Sequence, residues 1–287
     1  MNNTMKPDFI GIGAQKCASA WLYNILLSHP LISMATPQDG DKDTRFFSYF
    51  YDRGFEWYER YFEKRGNGIA GEYSTSYLYS LDAPERIHTY SPEIRLIVSL
   101  RHPVERAFSN HKHEISLGRV SGENLIFENA LKNNPLYLYQ SLYYTHLSRW
   151  LHYFDKKQIF IILVDDLKEK PEETIHALYE FLGIDSEHKP PMLYERIHET
   201  RIPQNRMVES SVRKASVLLR KIGGSTIIDY LKNRDVHRKI YTLNSKSKEE
   251  AFLPMKEETR ASLLQYFAEE NRKLADLINR DLSHWNR

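Results

Sequence analysis

Short, uninterrupted apolar segments are the feature that most restricts the fold of this 287-residue chain. They recur through the first two thirds of the sequence, at Phe9–Gly13, Leu96–Leu100 and Ile159–Val164. A strand that is apolar on both faces must be covered on both faces, as in a parallel sheet between layers of helices. The longest run, Ile159–Val164, is far shorter than the roughly 20 residues needed to span a bilayer.

Segments with helical spacing of apolar residues separate these strands. Helices are predicted at Ser19–Ser28, from Val104 to about Leu117, and at Glu172–Leu182. The first ends before His29-Pro30, because the residue before a proline avoids helical backbone angles. This alternation predicts an α/β fold, a central parallel sheet flanked by helices, with ligands at the carboxyl ends of the strands. From about residue 190 we predict a mainly helical part that ends in a long amphipathic helix, Lys256–Ile278.

Composition excludes several classes of protein. Lys plus Arg number 40 and Asp plus Glu 38, so the near balance gives no reason to expect nucleic-acid binding. A single cysteine, Cys17, excludes an intramolecular disulfide framework. The first residues, MNNTMKPDF, lack the basic-then-apolar pattern of a signal peptide. We therefore expect a protein without a membrane span, in a reducing compartment such as the cytoplasm.

The loop after the first strand has the chemistry of a phosphate cradle. Its small residues allow close backbone approach, the N–H groups at the helix start favour an anion, and Lys16 adds a full positive charge. The sequence is not a Walker A loop, since Gln15 precedes the lysine and Cys17 follows it where a magnesium-dependent NTPase keeps a hydroxyl. The alternative is a tight turn with a solvated lysine.

A second candidate anion site follows the strand Leu96–Leu100. Arg101 stands at the strand end, and Ser109 lies about two helical turns further on. A guanidinium and a hydroxyl in this arrangement can bind one phosphate together. Taken alone, the segment fits better as a helix N-terminus with a surface ion pair.

Together the two segments resemble the sulfotransferases that use 3′-phosphoadenosine 5′-phosphosulfate (PAPS). GAQKCASAWL resembles the family's 5′-phosphosulfate loop, QKxGTTxL, and RHPVERAFS resembles its 3′-phosphate element, RxPxxRAxS. Further matches to KExxFF, GxxWYxxxF, ExSPxY and LxxWLxxF…EDL lie at 42–47, 54–62, 72–77 and 147–167. The likeness is nearest to bacterial carbohydrate-type enzymes and the heparan sulfate sulfotransferase branch. It implies one sulfotransferase domain over residues 1–287 with a P-loop-like sheet.

The resemblance also implies a role for each matching residue. Lys16 would stabilise the leaving 5′-phosphate, Asp43 would act as general base, and Lys42 would steady the transferring sulfuryl group. Arg101 and Ser109 would hold the 3′-phosphate. The donor-binding loop residues would be Gln15, Lys16, Cys17, Ala18, Ser19, Ala20 and Trp21. The acceptor would be a hydroxyl or amine of a glycan or other small molecule, and no metal is expected.

Several positions depart from the family's pattern. In the loop, Ala18 replaces a glycine, and Ser19 and Ala20 replace two threonines, so that one hydroxyl contact to the donor is lost. Elsewhere Asp43 replaces a glutamate, Thr75 a proline and Ser141 a glycine. These changes predict an unusually shaped or partly degraded site, and they keep open a non-catalytic nucleotide-binding protein. An ATP-dependent P-loop kinase is the other alternative.

Four residues carry alternative roles. His111 or His113 could be the base in place of Asp43, or both could be ordinary residues of a helix surface. Glu72 could position the acceptor or be a solvated loop carboxylate. Cys17, beside Lys16 near a helix start, could be a reactive thiol, although the sequence shows no clear histidine partner.

Overall fold

The computed structural model describes residues 5–35, 37, 42–62, 67–194 and 252–287. The strands are β1 (Phe9–Gly13), β2 (Ile32–Met34), β3 (Ile69–Tyr73), β4 (Arg95–Leu100) and β5 (Ile159–Leu163). The helices are α1 (Ser19–Ser28), α2 (Phe46–Tyr49), α3 (Phe55–Glu59), α4 (Ala83–Tyr90), α5 (Pro103–Ser116), α6 (Phe127–Asn133), α7 (Leu136–Tyr139), α8 (Tyr143–Trp150), α9 (Val164–Glu169), α10 (Pro171–Leu182) and α11 (Glu257–Ile278).

The chain divides into two compact units. The larger comprises Met1–Asn110, Asn134–His198 and Glu257–Arg287, and the smaller comprises His111–Asn133 and Glu199–Lys256. The larger unit contains the whole sheet. The assignment of residues 1–287 to one domain stays a prediction.

The sheet has five strands in the order β2-β3-β1-β4-β5, and every neighbouring pair is parallel. Successive residues of a strand point to opposite faces. Accordingly Ile10 and Ile12 of β1 pack in one buried cluster with α4, α8 and the end of α11, while Phe9 packs in a second cluster with α1 and α10. The predicted α/β class, a parallel sheet flanked by helices, is confirmed.

Two glycines allow β1 and β3 to pair, because each lies opposite a bulky aromatic residue of the neighbouring strand. Phe9 lies opposite Gly71, and Gly11 lies opposite Tyr73. A Cβ on Gly71 would come within 2.3 Å of the Phe9 ring, and one on Gly11 would come equally close to the Tyr73 ring. Each aromatic ring therefore covers the glycine of the neighbouring strand, and neither glycine can be replaced without displacing a ring.

The predicted helices agree closely with the observed ones, including the long C-terminal helix α11. Residues 195–251, where most of the predicted helical part falls, lie outside the described residues. Two strands, β2 and β3, were not predicted. Across the described ranges, no helix is both long enough and apolar enough to cross a membrane.

Candidate active site

The candidate site lies where the sheet brings three strand ends together. The central strand β1 pairs with β3 on one side and β4 on the other, all in the same direction. Their carboxyl ends therefore meet at one edge of the sheet. Three segments begin at that edge: the loop after β1 carries Lys16, the turn after β3 carries Thr75, and the segment after β4 begins with Arg101.

The loop after β1 has an unusual backbone. Lys16 and Ala18 both have positive φ, 69° and 64°, in the left-handed region that favours glycine. Ala18 is the residue before α1, and its side chain makes no capping hydrogen bond. A helix leaves its first N–H groups without acceptors inside the helix. The start of α1 therefore presents N–H groups of the kind that bind anions, directly after Lys16.

Two buried hydroxyls support this loop from the neighbouring strands. Tyr73 of β3 donates to the carbonyl of Gly13 at 2.9 Å, and Ser99 of β4 donates to the carbonyl of Cys17 at 2.5 Å. The two hydroxyl oxygens lie 3.1 Å apart. Burial raises the pKa of Tyr73, so its hydroxyl keeps its proton and remains a donor. These contacts hold both ends of the loop to the sheet.

The predicted loop residues differ in their surroundings. Gln15 and Lys16 are half-buried, Ser19 is buried as the first residue of α1, and Ala20 is exposed. The side chain of Trp21 packs in the core, so that only its backbone can reach a ligand. The loop therefore offers a ligand mainly backbone groups, the Lys16 ammonium and the Ser19 hydroxyl.

Cys17 has the surroundings of a structural thiol. Its side chain is fully buried, and its sulfur lies 3.6 Å from the hydroxyl of Tyr143. Burial raises the pKa of the thiol, which opposes the thiolate that a nucleophile needs. The same Tyr143 hydroxyl donates to the carbonyl of Arg101 at 2.9 Å. Tyr143 thus contacts the loop after β1 and the segment after β4 together.

Asp43 is held close to the end of β3. Its Oδ1 pairs with the ammonium of Lys42. Its Oδ2 accepts from the backbone N–H of Thr75 at 3.0 Å and from the Thr75 hydroxyl at 2.8 Å. Both side chains of the ion pair are largely shielded from solvent, with Asp43 10% exposed. The structure therefore fixes the orientation of the predicted base.

Glu72 is not a solvated loop carboxylate. It lies within β3 and is fully buried. Burial raises the pKa of this carboxyl, although four hydrogen bonds oppose the shift. The donors are the hydroxyls of Thr44, Tyr58, Ser74 and Tyr77. The expectation of a solvated loop carboxylate was wrong, because the sequence did not reveal β3, and a role of Glu72 in positioning the acceptor stays a prediction. Its network ties the segment after residue 42 to β3.

The segment after β4 provides the second predicted anion site. Arg101 follows the strand, and Ser109 lies half-buried further along α5. The Arg101 guanidinium lies 3.8 Å from Glu105, which also pairs with Arg260 of α11. Burial alone would raise the pKa of Glu105, but the hydrogen bond and the charge of Arg260 hold this pKa below its usual value. Glu105 therefore carries a charge beside Arg101.

A buried arginine organises the start of α5. Arg106 is fully buried, and its guanidinium donates to three neutral acceptors. They are the hydroxyl of Ser141, the side-chain carbonyl of Gln140 at 3.0 Å and the backbone carbonyl of Tyr137. Burial lowers the pKa of Arg106. Ser141 also donates to the Pro103 carbonyl at 3.2 Å, so this serine fastens α5 to the segment before α8.

The two histidines considered as bases belong to the smaller unit. His111 is buried, its Nε2 lies 3.1 Å from the carbonyl of Leu125, and burial lowers its pKa. His113 is half-buried on α5. In the part of the chain that the structure describes, no group of three or more His, Cys, Asp or Glu could hold a metal ion.

Sequence reasoning missed Thr75 and Ser99 as parts of the site. Ser99 carried a signal, because it is the only polar residue in the apolar run Leu96–Leu100. Thr75 was noted only as a departure from a motif. The contact between Thr75 and Asp43 joins residues 32 positions apart, one in the segment after β2 and one in the turn after β3, and these two strands are paired in the sheet.

Comparison with known proteins identifies the family. Residues 6–257 match the family model described as a sulfotransferase domain. A mouse protein named bifunctional heparan sulfate N-deacetylase/N-sulfotransferase 4 is 28% identical over 194 residues, covering 62% of this chain and 22% of that protein. Mouse heparan sulfate glucosamine 3-O-sulfotransferase 6 is 31% identical over 186 residues, covering 62% and 52%. The chain thus spans about a fifth to a half of the length of these relatives.

A solved structure shares the fold over nearly the whole chain. It is a sulfotransferase from Alicyclobacillus acidocaldarius, with a TM-score of 0.67 and 22% sequence identity. The match covers 99% of this chain and 100% of that one. This likeness supports the P-loop-like arrangement of sheet and helices described above.

Proposed function

This chain belongs to the sulfotransferase family, and we propose that it transfers a sulfuryl group from PAPS to a hydroxyl or amine of a glycan. The observation that carries the proposal is the meeting of three features at one edge of the sheet. Lys16 and the N–H groups of α1 follow β1, Arg101 follows β4, and Asp43 is fastened to the end of β3. These are two cationic sites and one carboxylate, as sulfuryl transfer requires.

The donor fits the two cationic sites because it is anionic at both ends. Lys16, the loop N–H groups and Ser19 would hold the 5′-phosphosulfate, and Arg101 with Ser109 would hold the 3′-phosphate. Strands β1 and β4 are parallel neighbours, so the two cationic sites lie next to each other at the carboxyl edge of the sheet. ATP lacks a 3′-phosphate, and the loop lacks the hydroxyl residue after the lysine, which disfavours the kinase alternative.

Asp43 is the proposed general base. It would take the proton of the acceptor as the acceptor's oxygen or nitrogen bonds to sulfur and the bond from sulfur to the 5′-phosphate oxygen breaks. Lys16 would stabilise the negative charge that develops on that phosphate, and Lys42 would contact the transferring group. His111 is the weaker candidate, because its Nε2 already contacts the Leu125 carbonyl. Cys17 has no role in catalysis under this proposal.

The names of the relatives suggest the acceptor. Two of them are named for heparan sulfate, one as an N-sulfotransferase and one as a 3-O-sulfotransferase. We therefore propose a glycan acceptor, with a smaller metabolite as the alternative. The absence of a required metal and the cytoplasmic location stay predictions from the sequence.

The test compares binding with turnover. Thermal stability is measured with adenosine 3′,5′-bisphosphate (PAP) and with ATP plus magnesium, and turnover is measured with PAPS and desulfated heparan sulfate. PAP at about 100 times its Kd should stabilise the protein by about 2.7 kcal/mol. Asp43→Asn should keep this stabilisation and lose about 10²–10⁴-fold in kcat. Asp52→Asn, at an exposed aspartate in the turn before α3, is the matched control and should behave as wild type.

Three results would contradict the proposal. Stabilisation by ATP plus magnesium but not by PAP would favour a kinase. PAP binding without turnover of glycans or small hydroxyl compounds would favour a non-catalytic nucleotide-binding protein. Full activity of Asp43→Asn, with loss in His111→Ala or His113→Ala, would move the base to a histidine.

A further inference from the structure

One residue supplies two hydrogen bonds to a single oxygen of Asp43. The backbone N–H of Thr75 lies 3.0 Å from Asp43 Oδ2, and the Thr75 hydroxyl lies 2.8 Å from the same atom. Lys42 contacts the other oxygen, Oδ1. A carboxylate that is contacted at both oxygens by fixed groups cannot rotate about its Cβ–Cγ bond without breaking one of these contacts. Thr75 therefore sets the plane of this carboxylate.

Thr75 can do this because its own position is fixed. It follows β3 by two residues, and its carbonyl oxygen lies 3.3 Å from the point that a Cβ on Gly13 would occupy, against the start of the loop after β1. The preceding Ser74 accepts from the backbone N–H of Arg45 at 3.0 Å and donates to Glu72 at 2.7 Å. The turn after β3 is thus held both to the segment that carries Asp43 and to the loop that carries Lys16.

The chemistry of the side chain explains why this position matters. A proline at residue 75, the residue usual in the motif that this segment resembles, has no N–H and no hydroxyl, so it could donate neither bond. Asp43 is also one methylene shorter than the glutamate usual in its own motif. The two departures from the pattern therefore meet at one atom, Asp43 Oδ2.

We propose that Thr75 is a positioning residue for Asp43, which aims the carboxylate of the base at the acceptor and compensates for its short side chain. The inference rests on the proposed role of Asp43. It assigns to Thr75 an effect on the rate of transfer and none on donor binding.

The experiment uses substitutions that remove one or both bonds. Thr75→Val keeps the N–H and loses the hydroxyl, Thr75→Pro loses both donors, and Thr75→Ser keeps both. With PAPS and desulfated heparan sulfate, kcat should fall roughly tenfold or more in Thr75→Val, since a hydrogen bond to a charged group is lost, and further in Thr75→Pro. Thr75→Ser should stay within about twofold of wild type. The Kd for PAP should be unchanged in Thr75→Val and Thr75→Ser.

A second threonine offers a matched control. Thr145 donates its hydroxyl to Glu270 Oε1 at 2.6 Å and its N–H to Glu270 Oε2 at 3.2 Å, so it makes the same pair of bonds to a carboxylate at an exposed position. Thr145→Val should leave kcat and the Kd for PAP unchanged. A loss of rate in both valine variants would mean that a general loss of stability, and not the aim of Asp43, is responsible.

A double substitution separates positioning from a merely structural role. If Thr75 acts through Asp43, Thr75→Val should lower kcat no further once Asp43→Asn is present, so the two effects should not add. Additive effects would overturn the inference, as would a Thr75→Val enzyme with wild-type kcat beside an inactive Asp43→Asn enzyme. Weaker PAP binding in Thr75→Val would assign Thr75 to the loop after β1 instead. Full activity of Asp43→Asn would overturn the proposed base itself, which is a different result from each of these.

Discussion

Replacing Ala18 by glycine is expected to stabilise the protein, because the backbone of Ala18 has a conformation that favours glycine. Ala18 has φ 64° and ψ 13°, the left-handed region, where a residue with a Cβ costs about 1–2 kcal/mol. Glycine removes this cost. Two effects oppose this gain in stability. The loss of one half-buried methyl costs about 0.4 kcal/mol, and the greater freedom of glycine in the unfolded chain costs about 0.5 kcal/mol. The net gain is about 0.5 kcal/mol.

The adjacent helix provides a control of the same chemistry. Ala20 is the second residue of α1 and is exposed. Ala20→Gly should lower the stability by about 0.5–1 kcal/mol, because its backbone is helical. The unfolded-state contribution is common to the two variants and cancels when they are compared. At about 2–4 °C per kcal/mol for proteins of about 150–250 residues, the melting temperature of Ala18→Gly should exceed that of Ala20→Gly by about 3 °C.

Differential scanning calorimetry of the wild type and both variants, without ligand, measures this difference. The reasoning fails if Ala18→Gly melts at or below Ala20→Gly, because the backbone at residue 18 would then not be strained. A gain in Ala18→Gly that vanishes when PAP is bound would show instead that the ligand changes the backbone at this position.

Two further substitutions test buried groups near the site. Burial lowers the pKa of His146 to about 4, and its Nε2 lies 2.7 Å from the Tyr139 carbonyl. Between about pH 6.5 and pH 4, His146 is therefore protonated in the unfolded chain and neutral in the folded chain. The free energy of unfolding should fall by about 3 kcal/mol as the pH drops through this range. Urea unfolding of His146→Gln should not show this fall. Tyr143→Phe removes the hydroxyl that donates to the Arg101 carbonyl and should weaken PAP binding about tenfold by titration calorimetry, whereas Tyr144→Phe should not. Equal affinities would refute a link between the two anion sites.

The sequence predicts the strands that are apolar along nearly their whole length and misses those that tertiary contacts create. Strands β1, β4 and β5 were recognised because each is covered on both faces. Strand β3 contains Gly71 and the charged Glu72, a pattern that local preference assigns to a loop. It is a strand because Phe9 covers the glycine and four hydroxyls satisfy the carboxylate. Neither condition is visible before the chain is folded.

The same limit applies to the site. Lys16 and Arg101 could be placed at the sheet edge from chain order alone, since each directly follows a recognised strand. The surroundings of Asp43 could not, because Asp43 lies in the segment after β2 and Thr75 follows β3, two strands that pair in the sheet and that the sequence did not predict. The resemblance to a family predicted which residues matter, and the structure shows which of them contact each other.

The departures from the family's pattern fall into two groups with different consequences. Asp43 and Thr75 contact each other, and Ser141 accepts from the buried Arg106, so each of these substituted residues has a defined hydrogen bond in the described structure. In a site that has lost its function, we expect substitutions that leave neighbouring polar groups without hydrogen-bond partners. The substitutions at residues 43, 75 and 141 do not have this effect. Ala18 and Ala20 differ, because alanine brings no polar group to the donor loop. The alanines should therefore weaken PAPS binding, at most by the 1.5–3 kcal/mol of a charge-assisted hydrogen bond. The orientation of the Asp43 carboxylate should be unaffected. Under the proposed function, we therefore expect these departures to raise the KM for PAPS and to leave kcat unchanged.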